Sequence, residues 1–126
     1  QEKYKRKNLE IKNTRKISGD YDAISSIKVL HEIKTTTPEK MLKDFYKHLN
    51  PGGLLFIKEF YKTSKKQFRE YIKNWGSKKD FNAQYAEHNK WSIKQFKLMC
   101  INAGFKTLKL AKGKQNLFYY VGTKEN

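Results

Sequence analysis

Very little in this sequence could staple or anchor a small chain. Cys100 is the only cysteine, which excludes an intramolecular disulfide and a thiolate metal cluster, and points to a reducing, cytoplasmic setting. No apolar run approaches the ~18 to 20 residues of a membrane helix, and no charged-then-apolar leader opens the chain, so no membrane partner is expected. Acids are scarce as well, 12 against 28 Lys and Arg, and the net charge of +16 must project a positive field over most of so small a body. RNA or another anionic partner follows as an expectation. The seven glycines include no G-x-G turn between a strand and a helix, and His, Cys and acids form no metal-ligand spacing.

What is present is enough for one domain spanning 1–126, with aromatics at 14% and apolar residues at 37%. The organising stretch runs from Tyr21 to Tyr61. Asp22 to Val29 is short and continuously apolar or small, as in a strand covered on both faces. Thr37-Pro38-Glu39 then opens a helix with a capping hydroxyl, a proline whose missing N–H costs nothing, and an acid at the positive end of the dipole. Met41, Leu42, Phe45, Tyr46 and Leu49 share its inner face. Asn50-Pro51-Gly52-Gly53 turns the chain into a second apolar strand, Leu54 to Tyr61. A strand, helix and strand in this order make a parallel crossover unit.

Around that unit, Lys7 to Asn13 alternates and suits an edge strand. Thr63 or Ser64 caps a helix with Phe68, Tyr71, Ile72 and Trp75 at helical spacing, ending near Gly76. Ser77 to Lys90 shows no clear period and reads as an ordered loop or a short helix. Ser92 with Gln95 is a capping box, opening a helix that turns Ile93, Phe96, Met99, Cys100 and Ala103 inward and stops at Gly104. Phe105 to Leu110 and Asn116 to Val121 form an antiparallel hairpin, turning at Lys112-Gly113-Lys114.

That order, with YDAI and SSIKVLHEI, then KMLKDFYKHLNPGGLLFIKE, then NAGF (Asn102 to Phe105) and the closing hairpin, resembles the carboxyl-terminal half of a class I S-adenosylmethionine-dependent methyltransferase. The resemblance runs from about Lys7 to Lys124. It implies an α/β, Rossmann-like fold in partial form, a mixed sheet of parallel strands closed by the antiparallel hairpin, with Lys7 to Asn13 as the family's third strand. It implies methyl transfer to an acceptor the sequence does not name. The family's Gly-rich cofactor loop and the acid ending its second strand have no counterpart here. S-adenosylmethionine is therefore expected only with an amino-terminal half, supplied by the same chain or by a second segment completing the sheet. The alternative is a non-catalytic, basic, methyltransferase-like subunit that binds RNA.

Ligands of open α/β sheets sit beyond the carboxyl ends of the strands. Ser25, Ser26 and Ile27 are the expected cofactor contacts, because the family's residues after the fourth strand line the methionine side. His31 is the candidate base and Glu59 the candidate acceptor-orienting acid, each with a plain packing or pairing role as its alternative. Lys62, Lys65, Lys66, Arg69 and Lys73 form the candidate nucleic-acid surface. Asp22 reads as structural, Gly52 and Gly53 as a turn, His48 as a dipole partner and Cys100 as core; His88 has no assigned place.

Overall fold

A computed structural model of the chain describes residues 8–11, 19–27, 30, 36–71 and 78–125. Five strands, β1 (Asn8–Ile11), β2 (Tyr21–Ile27), β3 (Leu49–Phe60), β4 (Lys106–Lys112) and β5 (Leu117–Thr123), form one sheet in the order β1-β2-β3-β5-β4. β1, β2 and β3 run parallel, while β5 is antiparallel to both β3 and β4. The parallel crossover and the closing hairpin are both where the sequence put them. The strand expected in Lys7 to Asn13 lies directly beside β2, with Leu9 level with Ile24.

The helices are α1 (Pro38–His48), α2 (Lys65–Tyr71), α3 (Lys78–His88) and α4 (Ile93–Ala103). Thr37 caps α1 by accepting the Lys40 N–H at 3.1 Å, and the Ser92–Gln95 box closes reciprocally at the start of α4. Gly104 ends α4 in the left-handed region at φ 115, where its missing Cβ also clears the Tyr46 ring. Of the two readings of Ser77 to Lys90, a loop or a short helix, the structure has the helix, α3. Its helical signal is narrow, because Phe81, Tyr85 and His88 are correctly spaced but only Phe81 is buried.

α1 and α4 cover one face of the sheet. Met41, Leu42 and Phe45 from α1 and Phe96 and Cys100 from α4 meet Ile24, Leu55, Ile57, Phe118 and Tyr120 in a continuous core. Burying each large apolar side chain contributes about 1.5 to 3 kcal/mol. Cys100 belongs to this core, and burial pushes its thiol up to about 12, in keeping with a packing role.

Within β3, Pro51-Gly52-Gly53 forms a bulge: Tyr21 pairs with Leu49 and Ala23 with Leu54, so Asp22 alone faces four residues. Asp22 fills its structural role by accepting from the Asn50 side chain at 3.0 Å. The bulge is clasped by the end of the chain, through Gly52 N–H to the Lys124 carbonyl at 2.6 Å and Lys124 N–H to the Gly53 carbonyl at 3.1 Å. In the β4–β5 connection, positive φ falls on Gln115 and Asn116 rather than on Gly113. Asn tolerates that conformation because its short amide can hydrogen-bond locally. His48, at the carboxyl end of α1, also holds the Gly19 carbonyl through Nδ1.

Candidate functional site

Strand pleating divides the three expected cofactor contacts. Ser26 turns to the core face beside Ile57 and is fully buried, while Ser25 and Ile27 lie on the opposite face, with Ile27 substantially exposed. The Ser26 hydroxyl has no hydrogen-bond partner among the described residues. A buried hydroxyl without a partner costs free energy, and such atoms call for an explanation.

Glu59 has the same parity as Leu55 and Ile57, so its side chain turns inward and is fully buried. A carboxyl oxygen accepts the Leu30 N–H at 2.7 Å. The sequence left Glu59 a choice between orienting an acceptor and pairing with a lysine; its bond to Leu30, among the described residues, adds a tie to the main chain just beyond β2. This bond ties the carboxyl ends of two adjacent parallel strands together. His31, the next residue in sequence, lies outside the described residues.

Beyond β3 a polar network, which the sequence did not reveal, fixes α2 and α3 to the sheet. The Asn116 side chain accepts from Gln67 at 3.0 Å, Tyr61 N–H donates to the Asn116 carbonyl at 3.0 Å, and Thr63 N–H donates to the Asn89 side chain at 2.9 Å. The Tyr85 hydroxyl closes onto the Thr63 carbonyl at 2.7 Å. An aromatic layer reinforces it: His88 stacks on Phe60 with centroids 3.9 Å apart, and Phe68 packs between Phe81 and Tyr85. His88 thereby finds its place.

Of the expected nucleic-acid residues, Lys65 sits 5.7 Å over the Tyr85 ring and Arg69 4.8 Å over the Phe81 ring. Lys62 is joined through its N–H to the Trp91 carbonyl, Lys66 lies with Ser64, Gln67 and Glu70 along an open surface depression, and Lys73 lies outside the described residues. The charges of α2 thus partly serve to hold its own aromatic layer.

Comparison with known proteins fits this architecture. The family model described as a methyltransferase domain matches residues 1–110, and the chain belongs to that family. No curated protein matches it by sequence. Among solved structures, human N-acetylserotonin methyltransferase in complex with SAM superposes with a TM-score of 0.62 at 14% identity, over 89% of this chain and 32% of that one. A SAM-dependent methyltransferase of Thermotoga maritima gives 0.62 at 20% identity, over 87% and 60%. An O-methyltransferase family 2 protein of Planctomyces limnophilus, in complex with apigenin, gives 0.60 at 14% identity, over 85% and 32%. The chain has the Rossmann-like methyltransferase fold in partial form, and it spans between a third and three fifths of these relatives. Among the described residues no helix is long and apolar enough to cross a membrane.

Proposed function

We propose that this chain is the carboxyl-terminal portion of an S-adenosylmethionine-dependent methyltransferase, with the reacting groups meeting at the carboxyl ends of β2 and β3. The observation that carries the reading is the Ser26 hydroxyl. It is buried with spare hydrogen-bonding capacity at the end of a parallel strand, where α/β sheets take their ligands.

The residues present fit the amino-acid end of the cofactor. Ser26 offers a spare hydroxyl from the core face at the end of β2, while Ser25 and Ile27, on the opposite face, offer a hydroxyl and an apolar lip at the same strand end, a mixture suited to a group both charged and aliphatic. When bound, the cofactor would supply an electrophilic methyl to an aligned acceptor, its sulfonium sulfur leaving as a neutral thioether as the carbon–sulfur bond breaks. Such a displacement depends mostly on alignment and exclusion of water. Glu59 is a positioning residue in this reading, because it holds the main chain at Leu30, immediately before His31. His31 is the candidate base for an acceptor that must lose a proton.

Titration calorimetry with S-adenosylmethionine on the protein at its natural length tests the reading. Ile27→Arg, at an exposed position, is expected to weaken binding at least tenfold with an unchanged melting temperature. Unchanged affinity in that variant, or no binding by the wild type, overturns it.

A further inference from the structure

At the carboxyl edge of the sheet, two segments far apart in the chain are locked together. β4 runs parallel to β3, because both are antiparallel to β5, and Glu59, Phe118 and Lys112 fall in one cross-strand row. The β4–β5 connection therefore emerges beside the end of β3. Asn116, only 4% exposed, joins the two: its main-chain carbonyl accepts the Tyr61 N–H at 3.0 Å, and its side chain accepts from Gln67 at 3.0 Å and donates to Thr63 at 3.5 Å. Gln115 and Asn116 hold φ at 61 and 56 in this connection, a left-handed conformation that residues other than glycine adopt at a cost.

What the network gathers is charge of one sign. Residues 60–67 and 112–118 contain five lysines, Lys62, Lys65, Lys66, Lys112 and Lys114, and no acid. All of them are exposed. Glu70, one turn beyond Lys66 on α2, offsets at most one of these charges. Lys112 lies 5.4 Å over the Tyr61 ring and Lys65 5.7 Å over the Tyr85 ring, contacts that place an ammonium without neutralising it. Holding like charges on one rigid support costs free energy, which an anion bound across them returns. An apolar cover would have to strip water from all five ammonium groups. Among the described residues, none of the exposed large apolar side chains lies in either segment. The platform thus lacks the apolar face that enters a membrane and the apolar core of a protein interface. We infer that it binds the phosphate backbone of a nucleic-acid strand, each lysine meeting a phosphate as a point charge rather than reading bases. Lys112 and Lys114 are not visible as part of this surface in the sequence, because Asn116 carries them in from 49 residues beyond Gln67. Such binding does not depend on methyl transfer.

Fluorescence anisotropy of a labelled oligouridylate and an oligothymidylate of equal length, each titrated with the protein at its natural length over several salt concentrations, is the test. Both strands are expected to bind within a few-fold of each other, because they share the phosphodiester. Lys62→Ala, Lys112→Ala and Lys114→Ala should each flatten the salt slope by about 0.7, the share of one phosphate on a single strand, and their combination should weaken binding roughly tenfold or more. Melting temperatures should hardly move, since all three side chains are exposed. Lys112→Arg keeps the charge and should bind as the wild type does, which separates charge from packing on Tyr61. Lys40→Ala, Lys43→Ala and Lys47→Ala combined remove the same charge from the exposed side of α1, and should weaken binding roughly threefold or less. The inference fails if neither strand binds, if only one does, if the platform variant binds normally, or if the α1 variant loses as much affinity as the platform variant. Binding to vesicles of anionic phospholipid in place of either strand, lost in the platform variant, assigns these charges to a lipid surface and overturns it as well.

Discussion

The buried Glu59 side chain accepts the main-chain N–H of Leu30 at 2.7 Å, joining the carboxyl end of β3 to the chain that has just left β2. Both residues are shut away from water, so neither group can exchange its partner for solvent. The bond fixes the edge at which the proposed reaction takes place, and its loss should register in stability first.

Glu59→Ala leaves the Leu30 N–H unmet in an apolar setting and opens a cavity. A loss of about 1 to 3 kcal/mol is expected from the hydrogen bond alone. Glu59→Gln keeps a carbonyl that can accept the same N–H and should cost clearly less. Urea denaturation of the two variants checks the order, and equal losses would show that the bond contributes nothing specific.

Gly53 and Gly113 should differ in how strongly they resist alanine. A Cβ on Gly53 would meet the Asn50 carbonyl oxygen at 2.8 Å and the Asp22 carbonyl oxygen at 3.1 Å, both main-chain atoms within the bulge. Gly53→Ala is expected to destabilise by about 1 to 3 kcal/mol, the usual range for forced overpacking. At Gly113 the obstruction is the half-exposed ring of Tyr119, which can swing away, and Gly113→Ala should be mild. Thermal melts of both proteins suffice, and a larger loss at Gly113 would contradict the bulge geometry.

Cys100 sets a pH dependence on the alkaline side. Its thiol ionises only near about 12 in the folded chain, chiefly because burial disfavours the thiolate. In the unfolded chain it ionises near the ordinary value of about 8.5. Between those values the unfolded state releases a proton that the folded state keeps, so raising the pH favours unfolding. The expected slope is about 1.4 kcal/mol per pH unit from this group. Urea melts at pH 8, 9.5 and 11 (about the window set by these two values) should show Cys100→Ala losing less stability with pH than the wild type. Parallel slopes would refute the assignment.

Where local chemistry dictates geometry, the sequence was readable. Thr37-Pro38 and Ser92–Gln95 cap the helices they announced, and Gly104 ends α4, because each satisfies main-chain groups within a few residues. α3 was harder to see, since its inward stripe is only Phe81, Tyr85 and His88, and one of those is a histidine. The division of the site was also obscure. Leu54-Leu55-Phe56-Ile57 reads as a continuous apolar run, yet Leu55 and Ile57 enter the core while Phe56 faces water. Counting parity onward from Leu55 would have put Glu59 inside. The Asn116 network had no such signal, because its partners are separated by 49 and 53 residues.

The clasp between Lys124 and the Gly52-Gly53 bulge, together with the strand order, has a consequence for how the protein is made. β5 follows β4 in the chain yet lies between β3 and β4, so β4 has no strand to join until β5 has been made. On a ribosome the crossover unit can assemble early, while one side of β3 stays unpaired until residues up to Thr123 clear the exit tunnel. An unpaired strand edge invites association with other chains. The risk of misassembly therefore peaks just before β5 emerges, and a stall placed just before Leu117 should leave the nascent chain at its most adhesive.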